Sequence, residues 1–497
     1  MGGIHIMNIA VIDVGTSSMR GILYNEAGEI LHIHQIRYSV HYLNETFAEQ
    51  NPDDWKSSLY KIGKNLAEWA DTNNKKIDGL SLTSQRSSVI PIDKYTHPLS
   101  PAIMWMDKRN TSICSELKYA EKLIVKKTGA RVNDVFSGSK MTWIKRNQPE
   151  IYKAAYKLLT IADYLALLMT GEFKTDHTYG SRSSLMNIRT RQWDDELLKL
   201  FEIDKGKLCD LISPGEILGT TTKEFFQATG IRQGTPLVSA GGDQLCAALG
   251  LGIIQTGDME LTTGTGAFLL AYSDRVPENL EDNVICGAHA EKGKYVLESS
   301  IISCCSLYDW FKEQFYSNDK DYDSINQDIL QSVPGANGCI ALPYFQGRGT
   351  PDWNTKAAGC FLNLTLKTTK QDMARSLLES IAMEAANNID VLENYVGNTD
   401  KIHISGGLTN FSSFNQIQAD VYQKKLIKSQ NPEQTSLGGL INALVALKCQ
   451  KDYPSALNLV KKNEESLIYH PDKKNLLVYK EKRMHMNKFY KKLYLDK

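Results

Sequence analysis

What the chain lacks narrows it first. Its charges cancel: 57 lysines and arginines stand against 57 aspartates and glutamates. No long-range field therefore draws it to nucleic acid or to an anionic membrane. No uninterrupted apolar run approaches the roughly 20 residues that a bilayer-crossing helix needs. The start has no basic flank and its first apolar stretch is broken by Asp13, which speaks against a signal peptide, and residues 1–6 read as an extended or vector-derived start. Nine cysteines, an odd number, fall without one Cys-x-x-Cys pair, and the adjacent Cys304-Cys305 does not resemble a zinc knuckle. That pattern excludes a disulfide scaffold and fits a reducing compartment. The expectation is a cytoplasmic protein whose partners are small molecules, with no nucleic acid and no membrane; a homodimer stays open.

What is there has room for two domains: 497 residues, 42% of them hydrophobic and 23% charged. The stretch Ala240–Phe268, AGGDQLCAALGLGIIQTGDMELTTGTGAF, places an acid after a glycine pair and ends a strand in Thr-Gly-Thr-Gly. Glycines at such a turn let backbone N–H groups approach an anion, and threonine hydroxyls add donors. Asp243, folded back over the same cavity, would serve as a base for an incoming hydroxyl. Residues Asn8 to Tyr24, NIAVIDVGTSSMRGILY, have the same plan: strand, Gly-Thr tip, strand, with Gly15-Thr16 matching Gly264-Thr265 about 250 residues on. Each hairpin alone reads more readily as an ordinary tight turn. Together they suggest two related domains that each lend one hairpin to a shared cleft, with Asp13 directed at a phosphate-bound cation. The leading reading is phosphoryl transfer from a nucleotide to a small hydroxylated substrate.

The rest of the chain supplies candidates around that cleft. A helix is expected from Trp55 to Ala70 after the acids of EQNPDDW, then a strand from Ile77 to Thr83 ending in Ser84-Gln85-Arg86-Ser87-Ser88. Polar clusters at strand ends bind ligands in α/β sheets. Trp105 with Asp107, Lys108 and Arg109 offers either an apolar face and polar groups for a sugar, or a buried indole with a solvated charge cluster. From Asn110 to about Asp204 the chain reads as mostly helical, including Lys140–Asn147 and Tyr156–Met169. Pro236–Ser239 is a short strand leading to Asp243, with the domain junction close after it. The expected domains are 7–247 and 248–497. Met373, Leu377, Ile381, Ala385 and Ile389 repeat at four-residue steps in the clearest helix, Met373–Val396, closed by Gly397. A strand over Lys401–Ser405 opens into Gly406-Gly407-Leu408-Thr409-Asn410 and a helix from Ser412 to Lys424, a platform on which a flat base can lie against bare backbone. A second glycine pair, Gly438-Gly439, enters another helix. The basic, aromatic tail from Lys473 reads as a capping helix with a solvated face rather than a nucleic-acid arm.

These blocks together resemble the FGGY carbohydrate kinases, of the superfamily that joins actin, hexokinase and the heat-shock chaperone ATPases. The resemblance runs from Ile9 to about Leu493 and is carried by DVGTSSMR (13–20), EQNPDDW (49–55), SQRSS (84–88), MWMDKR (104–109), FSGSKMTWIKRN (136–147), GGDQ (241–244), TTGTGAF (262–268), GRGTPDW (347–353) and SGGLTN (405–410). It implies an α/β fold of two ribonuclease-H-like domains around a central cleft, with ATP and Mg2+, and transfer of the γ-phosphate to a sugar or polyol hydroxyl. Under the resemblance Asp243 is the catalytic base and Asp13 the residue that organises magnesium. Gly15, Thr16, Ser17 and Arg20, with Gly264, Thr265 and Gly266, are phosphate contacts. Gly406, Gly407 and Asn410 form the adenine platform, and Gln85, Arg86, Trp105, Asp107, Asp243 and Gln244 hold the substrate.

Two departures bear on which substrate. Where the glycerol-kinase branch has Glu after Gln-Arg and Tyr before Phe-Ser, this chain has Ser87 and Val135, which removes two contacts to glycerol hydroxyls and leaves more room. GRGTP and the aromatic tail look closer to xylulose-type kinases. The expectation is a ketose or polyol larger than glycerol, xylulokinase-like first, with glycerol kinase and autoinducer-2 kinase as alternatives. A non-kinase ATPase or sugar sensor of the same superfamily is the alternative from another class. Asn363 replaces a usual glycine of the second family signature, putting the backbone there in question.

Overall fold

The computed structural model describes residues 7–316 and 322–496; the expected extended start at residues 1–6 lies outside them. Two sheets organise the chain. The first has six strands in the order Ile217–Thr220, Pro236–Gly242, Gly79–Ser84, Asn8–Val14, Ser18–Asn25, Ile30–Arg37. The second has seven, in the order Ile285–Ala288, Tyr295–Ile301, Ala267–Ser273, Met259–Thr263, Lys401–Gly406, Lys425–Ser429, Ser466–Tyr469. Leaving aside the edge strand Ile285–Ala288, the two run in one pattern: three antiparallel strands, two joined in parallel to the first of these, and an antiparallel edge. The repeat expected from the two Gly-Thr hairpins is thus a repeat of whole sheets.

The strand Asn8–Val14, NIAVIDV, is buried along its entire length. Alternate residues of a strand face opposite sides. Ala10, Ile12 and Val14 accordingly pack with Trp55, Leu59, Ile62 and Leu66 of helix Pro52–Thr72, while Ile9 and Val11 pack with Leu245, Leu437 and Leu440. That helix starts where the sequence signals it, with Asn51 accepting from the Asp53 N–H, Pro52 in the first turn and two acids after it. Helix Lys370–Val396 begins three residues before the periodic pattern does, because Thr369 and Asp372 form a reciprocal capping box. A second such box, Thr160 with Asp163, starts helix Ile161–Thr170. Lys157–Leu159, expected to be helical, is instead a strand paired with Ile90–Ile92. In the C-terminal helix Leu476–Tyr494, Tyr479, Met486 and Tyr490 are buried in the second core, as a capping helix requires.

The chain passes from the first sheet to the second through helix Asp243–Leu251, which packs against helix Gln434–Ala446 from the far end of the chain. Glycines make this contact close. A Cβ on Gly438 would lie 1.9 Å from the Cys246 carbonyl oxygen, and one on Gly250 would lie 2.1 Å from that of Gln434. Gly438-Gly439 therefore sits inside a helix as a packing surface, with the Gly439 carbonyl accepting from Ser81 Oγ at 2.8 Å.

Gly438→Ala separates packing from backbone preference. Alanine favours a helix by about 1 kcal/mol over glycine, but the new methyl must displace a neighbouring helix, and overpacking costs about 1–3 kcal/mol or more. The urea midpoint is expected to fall. An unchanged or raised midpoint would show that the two helices have slack.

Candidate functional site

The first hairpin turns through Gly15-Thr16-Ser17, with the Gly15 N–H donating to the Ser18 carbonyl at 2.9 Å. Antiparallel register sets Asp13 opposite Arg20, and the two form an ion pair. Burial raises the Asp13 carboxyl and Arg20 opposes the shift. Arg20 also reaches Glu433, at 2.8 Å, where helix Gln434–Ala446 begins. Expected as a phosphate contact, Arg20 is here committed to two carboxylates. Thr16 is the centre of a small network: Trp105 Nε1 donates to its hydroxyl at 3.2 Å, Thr16 Oγ1 donates to Gln85 Oε1 at 3.4 Å, and Gln50 Nε2 donates to its carbonyl at 3.0 Å.

In the second hairpin the Gly264 N–H donates to Gly266 O at 2.8 Å, while the Cys304 and Cys305 N–H groups donate to Thr265 O and Gly264 O, each at 2.9 Å. Gly266 has no room for a side chain: a Cβ would meet the carbonyl oxygen of Ile301 at 2.6 Å. Above Gly264 a Cβ would meet nothing nearer than 3.7 Å. The space over the turn is open at that point.

A cavity of about 680 Å³ lies against the second sheet and the starts of helices Asp243–Leu251 and Gln434–Ala446, and its lining includes Asp243, Gln244, Glu260, Thr262, Glu298, Gly406 and Asn410. Two groups of residues expected to act together, the acid and glutamine of GGDQ and the strand-end glycine with Asn410, thus share one space. Gly406 has φ 93°, and a Cβ there would lie 2.2 Å from the Thr263 carbonyl oxygen, so the platform abuts the second hairpin. Gly407 is not among the cavity's lining residues. Asp243 is half-buried at the start of its helix. Loss of water pushes its carboxyl up to about 6; Arg86 and the Gln244 N–H pull the other way, and the charge of Asp13 adds to the rise.

Arg86 reaches this acid because Gly242 is bare: a Cβ there would lie 2.4 Å from Arg86 Cδ. Arg86 Nη2 donates to Gln244 Oε1 at 2.6 Å, and its Nη1 lies 3.9 Å from Glu298 Oε1. Arg182 pairs with the other oxygen of Glu298. Neither Arg182 nor Glu298 was expected from motif reading. A signal existed, since Arg-Ser-Ser occurs twice, at 86–88 and 182–184, and both arginines converge on one glutamate. Glu260 was also missed. It is an acid at an interior strand position, buried, with Oε2 unpartnered, and burial followed by the charge of Glu298 pushes it up to about 8.

Asp107 departs from expectation. Its side chain has no exposed surface; Oδ2 accepts from the Ala48 N–H at 2.6 Å and from Arg109 at 2.8 Å, and Oδ1 accepts from Arg109 Nε at 2.9 Å. It ties the start of strand Ala48–Gln50 to Arg109, with no side-chain surface left for a substrate. For a resident metal, no group of three or more His, Cys, Asp or Glu is gathered among the described residues. A magnesium ion carried on nucleotide phosphates asks for only one or two carboxylates. Asp13 fits that demand, since Arg20 holds Oδ2 and Oδ1 is the atom a cation would take.

Two family models match the chain: the N-terminal domain of the FGGY family of carbohydrate kinases over residues 8–250, and its C-terminal domain over residues 259–447. A glycerol kinase of Thermococcus onnurineus is 30% identical over 462 residues, 91% of each chain. Glycerol kinase 2 of Saccharolobus solfataricus is 31% identical over 466 residues, with 91% of each covered. Among solved structures, the Plasmodium falciparum glycerol kinase with ADP superposes with a TM-score of 0.89 at 27% identity over 99% of both chains. A ligand-bound xylulose kinase from Lactobacillus acidophilus does so at 0.91 and 23% identity, again over 99% of both, which speaks for the fold. The chain belongs to the FGGY family of carbohydrate kinases, ATP-dependent phosphotransferases that act on an alcohol group.

Proposed function

We propose that this chain transfers the γ-phosphate of ATP to a hydroxyl of a ketose or polyol larger than glycerol, a ketopentose first, with Asp243 as the general base. The observation that carries the reading is Asp243 itself: a half-buried carboxyl, at about 6, on the cavity that also holds Gly406 and Asn410. A base works best with its pKa near the working pH, where it is ionised yet still attracts a proton. Phosphoryl transfer asks little covalent chemistry of the protein and much positioning and charge neutralisation. Gln85, Arg86, Trp105 and Gln244 are the groups proposed to orient the acceptor. The bare turn at Gly264, with Thr265, Gly266 and the Gly15–Ser17 tip, is proposed to take phosphate oxygens through backbone and hydroxyl donors, while Gly406, Gly407 and Asn410 are proposed to carry the base. Asp13 would hold the magnesium ion, which supplies charge neutralisation to the phosphates when bound.

Ser87 and Val135 support the larger acceptor, because each replaces a polar side chain that pairs with glycerol in the glycerol-kinase branch. Glycerol is the second reading, favoured by relatives near 30% identity that are named glycerol kinases.

ADP release from ATP and magnesium, measured across ketopentoses, ketohexoses, polyols, glycerol and the autoinducer-2 precursor, tests the proposal. One ketopentose is expected to respond most strongly, and Asp243→Asn should lower kcat by about 10²–10⁴ while ADP binding stays within about twofold. A strongest response to glycerol would favour the second reading. Weak release regardless of acceptor would favour an ATPase or sensor, and full turnover in Asp243→Asn would remove the base.

A further inference from the structure

Of the nine cysteines, eight have thiols pushed above their ordinary range, seven of them chiefly by burial. Cys305 is the exception. The neighbouring Cys304 thiol and the Leu408 N–H lower it, and it lies at the first position of helix Cys305–Phe315, where the helix dipole favours a thiolate. It is half-buried, whereas Cys304 has no exposed surface.

Its position joins two elements that the mechanism needs. Cys305 Sγ lies 3.5 Å from the Thr263 carbonyl oxygen and would lie 3.9 Å from a Cβ on Gly407. The backbone N–H groups of the cysteine pair hold the two carbonyls of the Gly264-Thr265 turn. Any change in the peptide joining the cysteines is therefore passed to that turn.

We propose that Cys305, with Cys304 as its resolving partner, is a peroxide-sensitive modification site whose oxidation releases nucleotide. The consequence for nucleotide rests on the reading of the Gly264–Gly266 turn as a phosphate site. The Cys305 thiolate attacks hydrogen peroxide: an S–O bond forms, the O–O bond breaks, and the departing hydroxide takes a proton to become water, leaving a sulfenic acid. The Cys304 thiol then gives up its proton and attacks the Cys305 sulfur. The S–S bond forms, the S–O bond breaks and a second water leaves. Two thiols lose two electrons and the peroxide gains them. Consecutive Cα atoms are about 3.8 Å apart, short of the roughly 4.4–6.8 Å that disulfides favour. Closing this ring must therefore deform the peptide that anchors the turn, and a thiol reductant reverses it.

The test begins on the reduced full-length protein. With limiting N-ethylmaleimide, peptide mass spectrometry should find Cys305 labelled at least about tenfold faster than the other eight, and ADP should slow it. After hydrogen peroxide, the Cys304-Cys305 peptide should lack two hydrogens, ADP affinity should fall at least tenfold, and dithiothreitol should restore both. Cys304→Ala should stop at a sulfenic acid that dimedone traps. Cys305→Ser, compared with itself before and after peroxide, should show no change in ADP affinity. Cys305 labelling no faster than the other cysteines, or oxidation without loss of ADP affinity, would overturn the proposal. Should the reduced protein bind no ADP, the phosphate reading and the switch fall together, while the peptide masses still decide the thiol chemistry.

Discussion

Everything at the cleft depends on how closely two helices meet. Asp243–Leu251 and Gln434–Ala446 touch through Gly250 and Gly438 at distances that exclude any side chain. The first helix presents Asp243 at its start, and the second lies against the first sheet through Leu437, Leu440 and Gly439. A residue nearly two hundred positions beyond Asp243 thus fixes where that acid points. Arg20 extends the same tie, since its second partner is Glu433 at the head of the second helix.

Charge in the cleft is arranged around Glu298. Buried guanidiniums are costly unless paired; Arg182 hydrogen-bonds Glu298 Oε2, while Arg86, whose hydrogen bond goes to Gln244 Oε1, faces the same carboxylate across 3.9 Å. Arg86 then lies between Glu298 and the Asp243–Gln244 pair. Its pull on Asp243 is weaker than the cost of removing water, so the carboxyl sits near 6. Glu260, buried with Oε2 unpartnered, is shifted toward its neutral form by burial and by the charge of Glu298.

Short-range features were legible in the sequence, and long-range partnerships were not. Two strand–Gly-Thr–strand stretches announced the repeated sheets, because strand alternation and turn glycines act within a dozen residues. Asn363 raised doubt because a glycine is usual there; the structure keeps the left-handed conformation, φ 60°, with Asn363 Nδ2 donating to Gly338 O at 2.9 Å. Asparagine tolerates that region better than most residues. By contrast, the burial of Asp107 depends on Ala48 and Arg109 packing over it, and the commitment of Arg20 depends on Glu433. No spacing reveals either. Arg182 and Glu298 were out of reach for the same reason, though the repeated Arg-Ser-Ser hinted at the first. Asp243, Gln244, Gly406 and Asn410 were singled out from local motifs and share one cavity.

The dependence of kcat/KM on pH, for whichever acceptor responds, tests Asp243 as the base most directly. The group must be ionised to accept the hydroxyl proton, and burial has raised it. Log kcat/KM should therefore climb with unit slope below about pH 6 and level off above it. A profile that stays flat from about pH 5 to 8, or that falls as pH rises through 6, would contradict the assignment.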